Sequence, residues 1–109
     1  MGASSYAADF EKGLDAYNKG DFATALKEWK PLAEEGYDYL QFTIGWMYDE
    51  GKGVPQNYEE AVRWYRLAAE QGFAEAQYSL GVMYRSGLGV LQDDKEAARL
   101  LLLAAEQGL

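Results

Sequence analysis

The chain has 109 residues, 49% of them hydrophobic, and sets 10 Lys and Arg against 18 Asp and Glu for a net charge of −8. That length allows one compact unit, and an acidic balance spread along it repels phosphate backbones, so a basic protein is the expected partner and nucleic acid and anionic membrane are not. With neither Cys nor His present, disulfides, thiol nucleophiles, His-dependent triads and the usual zinc sites fall away.

Residues 1–6 lack the basic and apolar regions of a signal peptide and are expected to form a disordered or appended terminus. A single helical-repeat domain is expected over residues 7–109. Its first unit, residues 7–36, reads as a helical hairpin: Phe10, Leu14 and Tyr17 stripe one helix, Lys19-Gly20-Asp21 turns the chain, and Ala25, Trp29 and Ala33 continue to a stop at Gly36.

Residues 37–72 align without a gap on residues 73–108, with 17 of the 36 positions identical. A period of this length signals stacked repeats, which build surfaces because each unit touches only its neighbours. In the first helix of the earlier repeat Leu40, Ile44, Met47 and Tyr48 fall on one apolar stripe, and Ala76, Leu80, Met83 and Tyr84 renew it in the later one. Each helix runs into a glycine loop, Gly51-Lys52-Gly53-Val54 or Gly87-Leu88-Gly89-Val90, where positive φ angles stop the helix. Asn57 with Glu60, and Asp93 with Glu96, have capping-box spacing for the second helix. Ala61, Tyr65 and Ala68, like Ala97, Leu101 and Ala104, mark its buried face, and Gly72 and Gly108 end it. The longest apolar run, residues 100–105, is far too short to cross a bilayer.

Gln77, Leu80, Gly81, Met83, Tyr84, Gly87, Gly89 and Val90, with Ala61, Trp64, Tyr65 and the run Ala68 to Gly72, spell a pattern that resembles the Sel-one-like repeats, relatives of the tetratricopeptide repeats. The resemblance covers residues 37–108 closely and residues 7–36 loosely. It implies an all-α fold, a right-handed α-solenoid of three antiparallel helix pairs, with one tetratricopeptide-like hairpin ahead of two 36-residue repeats. It also implies a scaffold for protein assembly with no catalytic residues or cofactor, in the bacterial cytoplasm or periplasm.

Two departures are individual to this chain. Tyr39, Phe42 and Trp46 make a second apolar stripe on the first helix of residues 37–72, where residues 73–108 carry Glu75, Tyr78 and Val82. In the family this side lines the concave surface. Asp38, Asp49 and Glu50 flank the rings, which with Thr43 compose an acid-rimmed interface, natural, selected or engineered. The competing reading packs the same rings against Tyr6, Phe10 or Tyr17 of the preceding hairpin. At the other departure Leu100 to Leu103 replace Trp64 to Leu67, and Leu102 stands where Arg66 should face water, so Leu102 and Leu109 are candidate contacts of a homodimer or of end-on assembly.

The paired carboxylates Asp49/Glu50 and Glu59/Glu60 are expected to be solvated helix faces, since neighbours diverge by about 100° around a helix. The Gly-x-Gly loops follow helices, not strands, and lack the lysine and hydroxyl of a phosphate loop. The expected function is therefore a non-catalytic binding scaffold, with a structural fragment of a longer repeat array that assembles through its exposed C-terminal end as the alternative.

Overall fold

The computed structural model describes residues 2–109, with side chains from Phe10 onward. Among them are six α-helices and no strand: α1 (Gly2–Asn18), α2 (Phe22–Glu34), α3 (Asp38–Glu50), α4 (Tyr58–Glu70), α5 (Ala74–Ser86) and α6 (Asp94–Glu106). Successive helices pair as three hairpins, each packed on the next, in an elongated body of 45 × 27 × 20 Å. Because α1 starts at Gly2, it takes in residues that the sequence alone assigned to a tail.

The stripes read from the sequence are the core. Leu40, Ile44 and Met47 join Ala25, Trp29, Leu32 and Ala33 in a cluster between the first two hairpins. Ala76, Leu80 and Met83 join Ala61, Tyr65 and Ala68 between the second and third. Within each hairpin a glycine lets the second helix come close. A Cβ on Gly45 would lie 2.6 Å from the Tyr65 ring and one on Gly81 2.9 Å from Leu101, and one on Gly13 would strike the Trp29 ring.

That register corrects the reading of the first hairpin. Gly13 aligns with Gly45, so Phe10 and Leu14 correspond to Phe42 and Trp46, not to the core stripe. Both are exposed, and Gly13 and Ala16 are buried in their place.

The two glycine loops follow the same path. Gly51 and Gly87 have φ of 71° and 70°, Gly53 and Gly89 of 77° and 71°. Lys52 N donates to Met47 O as Leu88 N does to Met83 O, and Asn57 N to Tyr48 O as Asp93 N does to Tyr84 O. Each loop rests on the preceding hairpin: a Cβ on Gly53 would lie 2.6 Å from Ala23 N, and one on Gly89 2.5 Å from Tyr58 O.

The capping boxes are half formed. Asn57 and Asp93 accept from the backbone N–H of Glu60 and Glu96. The reciprocal bond is absent because those cap N–H groups are already spent on Tyr48 O and Tyr84 O. The glutamates turn to Arg63 and Arg99 instead, at 3.0 and 2.6 Å. Phe73 N donates to Ala68 O and Gly72 N to Ala69 O, which closes α4 on a left-handed Gly72, and Leu109 and Gly108 repeat the arrangement after α6.

Candidate interaction surface

The aromatic stripe of α3 is divided among three environments. Tyr39 is 58% exposed and meets Phe73 edge-on, with ring centroids 6.2 Å apart. Phe42 is half-buried, tilted on Tyr65 at 5.6 Å and on Phe73 at 5.4 Å. Trp46 is also half-buried, but its ring leans toward the preceding hairpin, 6.4 Å from Tyr17 and 6.0 Å from Phe22. Trp46 thus serves inter-hairpin packing, while Tyr39 and the free side of Phe42 face solvent. Tyr6, a packing partner anticipated from the sequence, lies outside the residues whose side chains are described.

Thr43 is buried, and its hydroxyl donates to Tyr39 O one helical turn back, so it braces the stripe from beneath. Asp38 accepts from Tyr39 N at the start of α3, and Glu50 is exposed at its end. Asp49 is tied into the fold: the Tyr65 hydroxyl donates to its Oδ2 at 3.0 Å. Burial pushes the Asp49 carboxyl above its ordinary pKa, the bond from Tyr65 opposes the rise, and the nearby Glu50 adds to it. Burial also raises the Tyr65 phenol far above its usual range, and the Asp49 charge reinforces the shift. The phenol is therefore a fixed donor, with no tendency to act as an acid.

Sequence reasoning missed the breadth of this surface. Phe10, Phe42 and Tyr78 occupy one position in three successive first helices, and Leu14, Trp46 and Val82 occupy another. Phe10, Leu14 and Tyr78 are exposed, Tyr78 to 50%, and Tyr37 beside the start of α3 to 59%. The register of Gly13 against Gly45 was the available signal. In and after α6, Leu102 is 60% exposed and Leu109 55%. Arg66, the counterpart of Leu102, does not simply face water: it donates to the Tyr84 hydroxyl at 2.9 Å with its guanidinium over that ring. The position of Leu102 is therefore one that meets a neighbouring hairpin.

Among the described residues no three His, Cys, Asp or Glu side chains converge as metal ligands, and no helix is long and apolar enough to cross a membrane. The arrangement offers rings, carboxylates and exposed leucines, all of which can make binding contacts.

Comparison with known proteins gives the same fold. The family model for the Sel1 repeat matches residues 39–73 and 74–109. A protective antigen present in uropathogenic Escherichia coli strains, which displays an SLR fold, is similar at a TM-score of 0.86 and 40% identity, over 95% of this chain and 23% of that one. A Sel1 repeat protein from Oxalobacter formigenes is similar at 0.81 and 38%, over 87% of this chain and 39% of that one. The chain thus spans well under half the length of either. None of the curated proteins matches it.

Proposed function

The chain belongs to the Sel1 repeat family, whose members are generally protein-interaction scaffolds, and from that footing we propose that it is a non-catalytic module that grips a basic protein segment on the face formed by its first helices. The observation that carries this reading is the exposure of Tyr39 and Tyr78 on successive first helices, with the carboxylates Asp38, Asp49 and Glu50 on the helix of Tyr39. Exposed rings offer large contact area at low entropic cost, and flanking carboxylates steer a cationic partner. Selection of a random peptide library against the full chain tests it. Ligands rich in Lys or Arg that are lost on Tyr39→Ala or Tyr78→Ala support the reading, and ligands indifferent to both changes refute it.

A second reading, assembly through the α6 end, is favoured by the exposure of Leu102 and Leu109. The two readings use different residues and are compatible.

A further inference from the structure

The two interfaces between hairpins are built on the same rows of residues but are not filled alike. Trp64 is wholly buried in the cluster that joins the first hairpin to the second, together with Ala33 and Ile44. The Arg63 guanidinium covers its ring, 4.7 Å from the ring centroid, while Arg63 Nη2 holds Glu60 Oε1 at 3.0 Å. The indole N–H has no hydrogen-bond partner, so the ring is held by packing and by the cation on its face.

Between the second hairpin and the third, Leu100 takes the place of Trp64, Ala69 and Leu80 those of Ala33 and Ile44, and Arg99 that of Arg63. Leu100 carries no ring, and a groove of about 250 Å³ lies there. Ala69, Leu80, Leu100 and Leu103 line it with apolar surface, with Arg66 and Arg99 beside them. Arg99 is anchored to Glu96 by two bonds, 2.9 and 2.6 Å, as Arg63 is to Glu60, and Arg66 is anchored to the Tyr84 hydroxyl. The guanidinium that covers an indole in the earlier interface is thus held in the later one beside a leucine. All six lining residues belong to α4, α5 and α6, so the groove lies wholly between two packed hairpins. Its mouth is on the outer surface of the second helices: Arg63 and Leu67, the counterparts of Arg99 and Leu103, are exposed although a hairpin packs on either side of theirs.

We propose that this groove is a docking site for the tryptophan side chain of a partner protein, which takes the place that Trp64 fills one hairpin earlier. The space is sufficient, since an apolar cavity of about 150 Å³ already admits benzene. The chain itself shows what suits these surroundings. A small alanine, an aliphatic floor and a glutamate-anchored arginine enclose a tryptophan in the one interface and the groove in the other. The arginines also select among occupants: they attract the electron-rich face of an indole, give a leucine no such gain and repel a lysine. An indole needs no acceptor in the groove, because Trp64 is buried with its own N–H unpaired. The site uses neither Tyr39 nor Tyr78 and stands independently of the first-helix face.

Titration of the full chain with N-acetyltryptophanamide, followed by amide NMR, tests the proposal. Saturable shifts are expected at Arg66, Ala69, Arg99 and Leu103 at about millimolar ligand, with none from N-acetylleucinamide. Leu100→Trp, which rebuilds the Trp64 arrangement, should abolish the shifts and raise the melting temperature. Arg99→Ala should weaken binding about threefold with melting unchanged. Absence of saturable shifts, or shifts confined to the first helices, overturns the proposal. So does binding that persists undiminished in Leu100→Trp or Arg99→Ala, or a Leu100→Trp chain that melts below the unaltered one, since a ring would then not fit. Binding of free indole without binding of N-acetyltryptophanamide overturns the side-chain occupant.

Discussion

The side-chain amide of Gln71, at the end of α4, donates to Gln41 Oε1 in α3 at 2.9 Å. Gln71 also donates to Gly36 O and Gln41 to Ala33 O, so two glutamines bind the second hairpin to the close of the first. Gln107 and Gln77 repeat the set onto Gly72 O and Ala69 O.

Gln77→Leu should therefore cost about 1 kcal/mol, since it removes the bond to Ala69 O and one of the two acceptors of the Gln107 amide. Denaturant unfolding of the single variant measures this. Adding Gln107→Leu should cost up to about 1 kcal/mol more, because it removes the remaining bond to Gly72 O.

Gly45→Ala should destabilise by about 1–3 kcal/mol through overpacking against Tyr65. Gly53→Val should cost at least as much, because it adds strain at a φ of 77° to collision with the α2 backbone. Pairing Gly45→Ala with Tyr65→Leu, the combination that places Leu beside the new methyl, should recover part of the loss in thermal melts.

Trp46→Ala should lower stability by about 3 kcal/mol, having emptied the space between Tyr17 and Phe22. Tyr39→Ala should change it by less than about 1 kcal/mol, as expected for an exposed ring away from the core. Equal losses for the two would mean that Tyr39 is a packing residue as well.

Asp49 gives the fold a pH dependence of definite sign. Its folded pKa is raised above 3.8, so the contribution of its neutral form is complete below that value and is lost as pH rises through the folded pKa. Asp49→Asn stays uncharged and can still accept from Tyr65. The variant should therefore gain on the unaltered chain as pH rises through the raised Asp49 pKa, a gain that denaturant unfolding at a series of pH values measures.

Helices, loops and core stripes were legible because two copies of one pattern must fold alike, and because glycine at positive φ announces where a helix stops. The first hairpin was not, since its apolar residues sit in a different row. Where α3 has Ile44 and Met47, α1 has Lys12 and Asp15, and Phe10 and Leu14 drew the eye to the wrong face. The glutamine pairs were visible only as identities, because their partners lie 30 and 35 residues away. Trp46 looked like Tyr39 on a helical wheel, yet a wheel cannot show that Phe22 stands beside one and solvent beside the other.

The loop glycines also set an order of protection. Gly53 lies over the first turn of α2 and Gly89 over that of α4, so each of those helix starts is shielded by the hairpin that follows. Among the described residues nothing lies over the first turn of α6. Amide exchange in this chain should accordingly be faster at Lys95 and Glu96 than at the equivalent Glu59 and Glu60 of α4.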